Sequence, residues 1–265
     1  LDQDSLTARH YGHGALEQAI FSALAASGKD LSALSVDDLA PVDEFHIGGR
    51  QATADVAAQA GFAPGSRLLD IGCGLGGASR FFAREGGCRV TGIDVTEDYV
   101  LVARELAARV GFRDEVSYET ASALALPFAP ATFDGAVMFH VGMNIADKRQ
   151  AFSEARRVLK DGGAFAIYDV MGETDGLDFP VPWASSAEGS FVAGAATYRR
   201  LLSEAGFVVE KERSRADVAL DFFRKIQSRA AAGGPPPLGL HILMGATTPQ
   251  KVANTIAGLA RGLIA

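Results

Sequence analysis

The sequence predicts an α/β protein with a doubly wound, mostly parallel sheet behind an N-terminal helical cap. Three observations predict it. From Arg67 onward, short apolar runs alternate with segments whose apolar residues recur at helical spacing, the pattern of repeated crossovers. The first of these runs, residues 67–71, breaks into a glycine loop, Gly72-Cys73-Gly74-Leu75-Gly76-Gly77, that opens straight into a helical pattern carrying Phe81 and Phe82. Residues 1–61, by contrast, carry helical patterns and no strand pattern.

The cap comes first in the chain. In residues 14–27, Leu16, Ile20 and Leu24 fall on one face of an amphipathic helix. Ser35 with Asp38 forms a capping-box-like start, and Pro41 is expected to stop the helix that follows. A third helix runs from Gly49 or Arg50 to Ala60, ended by Gly61. Just before it, Phe45-His46-Ile47-Gly48-Gly49 offers paired glycines at a helix start, where a backbone can come close to a ligand.

After the glycine-loop strand, a helix is expected over 76–85 and a strand over 88–94. Asp94 then falls at a strand end, where a carboxylate can accept from both hydroxyls of a ribose. A helix over 97–110, capped by Thr96, leads to a strand over 115–119. Leu126-Pro127-Phe128 precedes the apolar strand Phe133 to His140, and Phe139, His140, Met143 and Asn144 lie beyond its carboxyl end, where ligands bind in open α/β sheets. Asp147 starts a helix that Asp161-Gly162-Gly163 stops, before a strand over 164–170. Residues 171–193, with Phe179 and Trp183, form a long connection read as a substrate-facing lid. A helix over 197–205, a strand over 207–213, a helix over 216–232 and a last helix over 249–262 complete the chain. Two parts are expected, a cap over 1–61 and an α/β domain over 62–265, with lid insertions near 171–195 and 233–248.

Charge and cysteine use narrow the partners. A net charge of -7 argues against nucleic acid, whose phosphates need a basic face. Two cysteines, Cys73 and Cys88, fit a reducing cytoplasm rather than a disulfide framework, and neither lies in a metal-binding cluster. No run approaches about 18 uncharged apolar residues, so no membrane partner is expected. The expected partner is a small molecule; monomer and homodimer stay open.

The glycines do not identify the nucleotide. Gly72, Gly74 and Gly77 satisfy a dinucleotide pattern, and Gly76 a looser one. Asp70 discriminates: beside a pyrophosphate it sets like charges together at roughly 1 to 4 kcal/mol, whereas a donor bearing an ammonium and a sulfonium is attracted. The run Leu69-Asp70-Ile71-Gly72-Cys73-Gly74-Leu75-Gly76 resembles motif I of the class I S-adenosylmethionine (SAM) dependent methyltransferases. Leu126-Pro127-Phe128 and Phe133-Asp134 resemble the family's third and fourth motifs, and Arg157-Val-Leu-Lys160-Asp-Gly-Gly163 its Arg-Val-Leu-Lys-Pro-Gly-Gly. The His46 segment is similar to that of bacterial sarcosine and dimethylglycine methyltransferases, the small-molecule, type 11-like branch.

The resemblance implies a Rossmann-like sheet of about seven strands, the last antiparallel and begun by Leu263-Ile264-Ala265. It implies SAM as cofactor, S-adenosylhomocysteine as product, and cofactor contacts from Asp70, Gly72, Cys73, Gly74, Gly76, Asp94, Val95, Ser122, Ala123 and Phe139, with Tyr11 folding over. Ser122 stands where the family commonly has an aspartate, a weaker acceptor for the adenine amino group. His140 and His46 are the candidate bases or positioning groups; Asn144, Met143, Trp183 and His241 are candidate substrate contacts. Methyl transfer needs no obligatory base, and N-, O- and C-acceptors stay open. An NAD-dependent oxidoreductase and a non-catalytic SAM-binding protein are the alternatives.

Overall fold

The computed structural model describes residues 3–11, 16–173, 175–233 and 236–265. Four helices make the cap: α1 (Gln3–Tyr11), α2 (Leu16–Ala26), α3 (Val36–Asp43) and α4 (Gly49–Ala60). At the start of α3 the Ser35 hydroxyl accepts from the Asp38 amide at 3.3 Å, and the Asp38 carboxylate accepts from the Ser35 amide at 2.9 Å, a complete capping box. Pro41 does not stop this helix, which runs on to Asp43. Leu39 and Val42, fully buried with Ile20 and Leu24 of α2, offset the one backbone bond that the proline removes. Gly61 ends α4 at φ 64° with its amide on the Ala57 carbonyl.

The sheet follows as β1 (Arg67–Ile71), α5 (Gly77–Gly86), β2 (Arg89–Asp94), α6 (Glu97–Arg109), β3 (Val116–Thr120), β4 (Phe133–Phe139), α7 (Lys148–Val158) and β5 (Leu159–Tyr168). All pairings are parallel, in the order β3-β2-β1-β4-β5. The order reverses between β1 and β4, and at such a switch point a crevice opens beyond the strand ends. Central β1 is buried on both faces, Leu69 and Ile71 facing Met138 and Phe152, Leu68 facing Phe82 and Val137.

Five strands, not seven, form the sheet among the described residues. The expected strand over 207–213 is irregular chain outside the sheet: Phe207 seats its ring on Phe165 at 5.5 Å, while Val208 and the polar residues after it face solvent. Leu263 to Ala265 do pair antiparallel, but with the segment after β5, through Met171 N to Ala265 O at 3.1 Å and Ala265 N to Met171 O at 2.8 Å. β5 starts at Leu159, opposite Phe133, and absorbs Asp161-Gly162-Gly163 as an irregularity with Gly162 at φ 76°. Thr96 occupies the N-cap position of α6 but its hydroxyl makes no cap bond.

The remainder, α8 (Ala195–Glu204), α9 (Ala216–Gly233), α10 (His241–Met244) and α11 (Thr248–Ala260), packs beside the sheet's carboxyl end. Between β5 and α8 the chain is irregular, yet Leu177, Val181 and Trp183 are buried with Phe223 and Leu259. No described helix is long and apolar enough to cross a membrane.

One buried ion pair joins cap to sheet. Arg80 of α5, wholly inaccessible, donates through Nη2 to Asp43 Oδ2 at 2.5 Å and to Leu75 O at 2.8 Å, and through Nη1 to the Tyr118 hydroxyl at 3.3 Å. That hydroxyl donates to Gly76 O at 3.2 Å, so a single guanidinium holds the end of α3, the glycine loop and β3 together.

Candidate functional site

A cleft of about 1440 Å³, its open mouth included, lies over the carboxyl ends of β1, β2 and β4. Its floor is the glycine loop. Gly72 sits at φ 73°, and a Cβ there would lie 2.3 Å from Val141 Cγ2, so only glycine lets the loop pass under the β4 extension. Gly72, Cys73 and Gly74 line the cleft. Gly76 does not: it turns behind the loop at φ 78° against the Tyr118 hydroxyl, and its role is to start α5.

Carboxylates gather at this end. Asp70 is 1% exposed and accepts from the Ser79 hydroxyl at 2.6 Å. Burial pushes its carboxyl up to about 7. Asp94, also raised by burial, accepts from Gly74 N and Thr96 N, each at 2.9 Å on a different oxygen. It thereby fixes the loop, and each oxygen keeps a second lone pair for a hydroxyl donor. Asp43 Oδ1 is buried, unpartnered and at the cleft wall, an acceptor suited to an ammonium. Val95 and Ala123 line the same end. The Cys73 thiol is raised far by burial and stays protonated, which makes it lining rather than a nucleophile.

Ser122 is not in the cleft wall. Its hydroxyl accepts from Leu124 N at 3.1 Å, closing a local turn that leaves Ala121, Ala123 and Leu124 facing the cavity. His241 likewise stands outside the lining, although its neighbours Leu240 and Leu243 belong to it. The Tyr11 side chain lies outside the described residues; Gln3, Asp4 and Thr7 of the same helix border the cleft, Gln3 holding Asn144 O and Ala146 N.

The two histidines meet at the centre. Phe139, His140, Met143 and Asn144 follow β4 into the wall, and His46 reaches it from the segment before α4. The rings of His46 and His140 are 6.0 Å apart. His140 adopts φ 54°, a left-handed conformation costly for a residue with a Cβ. His46 Nε2 is shared between Gly49 O at 3.2 Å and Thr53 Oγ1 at 3.0 Å, and Thr53 donates to Glu44 Oε2 at 2.5 Å. With Nε2 carrying the proton, Nδ1 is the lone-pair nitrogen of the ring. Burial lowers His46 to about 4 and His140 well below its usual value, so both rings are neutral acceptors.

Sequence reasoning missed the supports. Lys148, buried, donates to Ile145 O and Phe191 O, while the Tyr198 hydroxyl donates to Asp169 Oδ2 at 2.6 Å beneath Gly142, which has no room for a Cβ. These bonds fix the turn that presents Met143 and Asn144. It also missed the wall that α9 and α11 contribute, and in α10 it singled out His241 where Leu243 and Met244 line the cleft.

Comparison with known proteins places these observations. A family model described as a methyltransferase domain matches residues 69–167. Erythromycin 3''-O-methyltransferase of Saccharopolyspora erythraea is 34% identical over 193 residues, covering 66% of this chain and 63% of that protein. Sterol 24-C-methyltransferase of Eremothecium gossypii is 35% identical over 119 residues. The chain thus spans 63% of the first relative and 32% of the second. Among solved structures, one described as a sarcosine dimethylglycine methyltransferase of Galdieria sulphuraria superposes with a TM-score of 0.63 at 24% identity, covering 81% of each chain. The [4+2]-cyclase SpnF superposes with a TM-score of 0.65 at 21% identity, covering 95% of this chain and 92% of its own. Likeness at that level establishes the fold alone, and a cyclase among the neighbours separates fold from reaction.

Proposed function

We propose, since residues 69–167 match a methyltransferase-domain family model, that the protein transfers a methyl group from SAM to a small-molecule acceptor. The observation that carries this reading is one continuous cleft in which an acid-lined glycine loop opens into a chamber walled by the cap, β4 and the C-terminal helices. SAM, when bound, supplies an electrophilic methyl on a sulfonium. Asp94 would hold the ribose, Asp70 and Asp43 the cationic amino-acid end, and Ala123 with its neighbours the adenine. His46 and His140 would orient the acceptor, and the closed wall would exclude water. Incubating the protein with labelled SAM and a metabolite pool tests this: a labelled species heavier by one methylene supports it, and no labelled product from any acceptor contradicts it.

The buried Asp70 also speaks against the NAD-dependent alternative, which would set a pyrophosphate beside it. The free, buried thiols of Cys73 and Cys88 support a cytoplasmic setting.

Two expected results concern the cofactor end. Asp94→Ala should weaken S-adenosylhomocysteine binding by about 1–3 kcal/mol, read by calorimetry, because both a ribose acceptor and the tether on Gly74 are lost. SAM affinity should rise about ten-fold between pH 5.5 and 7, because a cation binds the ionised Asp70 and burial holds that group at about 7 in the free protein. The sign is the reverse for stability without cofactor: a carboxyl raised from 3.8 contributes stability that is complete below 3.8 and lost as pH rises through about 7. Asp70→Asn should remove most of the slope in affinity.

A further inference from the structure

The chamber beyond the glycine loop is unlike the loop itself. Among the described residues the whole cleft carries four aspartates, Asp4, Asp43, Asp70 and Asp94, and no lysine or arginine. Three of the four belong to the loop end, and the fourth, Asp4, sits on α1. The far wall is Trp183, Phe222, Phe223, Leu243, Met244 and Val252. The polar atoms near it are already bonded. Trp183 Nε1 donates to Ser190 Oγ at 3.0 Å, Thr255 Oγ1 donates to Lys251 O at 2.8 Å, and the Lys251 ammonium, behind the wall, is directed to Met244 O at 3.2 Å.

On the reading of the site given above, we infer that the acceptor is a neutral, predominantly apolar molecule, and that carboxylate, phosphate and ammonium acceptors are excluded. An anion entering this chamber meets no counter-ion and faces the aspartates of the loop. Taking an ion out of water without a partner costs several kcal/mol in a protein interior, more than an apolar tail recovers. A cation finds no carboxylate along the far wall, and the two histidines present neutral rings, which accept hydrogen bonds without supplying a counter-charge. A neutral molecule forfeits none of this, and its apolar body removes the wall from water.

Trp183 is the single tryptophan of the chain and lines the chamber, so its fluorescence reports occupancy, and S-adenosylhomocysteine is kept saturating so that the loop-end carboxylates are filled and cannot pair with the ammonium of a probe. Titrating the protein at pH 7 with 1-decanol, decanoate and decylammonium matches chain length while varying charge. Saturable quenching by decanol at a dissociation constant at least ~30-fold below those of decanoate and decylammonium is expected from the desolvation argument. Equal or tighter binding of either ion, or no saturable change with any of the three, overturns the inference. Val252→Lys, checked for folding by thermal melting, should tighten decanoate at least ~10-fold by supplying the absent counter-ion; an unchanged decanoate affinity also counts against it. Binding of S-adenosylhomocysteine is measured separately by calorimetry, so a chamber with the wrong selectivity is told apart from a protein that binds no SAM.

Discussion

Asp43→Ala is expected to destabilise the protein by about 3–5 kcal/mol in urea unfolding, the cost of leaving Arg80 buried with its charge uncompensated. Arg80 is wholly inaccessible, and its remaining acceptors, Leu75 O, Ala103 O and the Tyr118 hydroxyl, are neutral. The same change should loosen the cofactor end. Asp43 closes α3 against Gly77, whose Cα lies so near the Asp43 carbonyl that a Cβ would come within 2.3 Å. The result to look for is a lower urea midpoint accompanied by weaker S-adenosylhomocysteine binding in the fraction still folded. Asp43→Ala together with Arg80→Met should recover much of the stability, since removing both charges is far less costly than removing one. If the double variant is no more stable than the single, the ion pair is not what joins cap to loop.

His46→Ala is expected to lower methyl transfer ~100-fold or more with S-adenosylhomocysteine affinity nearly unchanged, the usual scale for losing a positioned acid–base group. The structure favours His46 over His140 for this role. Its proton is held on Nε2 by Gly49 O and by Thr53, which Glu44 backs, whereas the described contacts of the His140 ring are with the rings of His46 and Tyr168. Glu44→Gln should shift the acid limb of the rate profile and leave product affinity alone, because the glutamate acts through Thr53 and the imidazole rather than on the acceptor. A loss confined to KM in His46→Ala would reduce the residue to chamber lining.

What was legible in the sequence was local. The glycine loop, Asp70 and Asp94 are placed by strand–turn–helix spacing within about thirty residues, and the capping box of Ser35 and Asp38 by four. Pro41 was misjudged because a proline costs one bond while two buried aliphatic side chains outweigh it, a balance set by tertiary contact. The strand expected at 207–213 failed for a related reason: Phe207 finds a ring to pack on, but the valines after it find no sheet face.

Long-range placements were not legible. Arg80 and Asp43 are 37 residues apart, and neither stands in a pattern that sequence reading weighs. The apolar residues of α9, α10 and α11 that wall the chamber carry the periodicity of any core-facing helix, so nothing local distinguishes a cavity wall from a packed interior. Ser122 looked like a cofactor contact by its place in a resembling motif, yet its hydroxyl closes its own turn on Leu124.

The central claim is that the acidic glycine-loop end accepts a cationic sulfonium donor and rejects an anionic dinucleotide. Calorimetric titration of one protein sample with SAM and with NADH at pH 7.5 tests it most directly. Saturable heat with SAM and none with NADH is the result this structure predicts; saturable heat with NADH and none with SAM would contradict it.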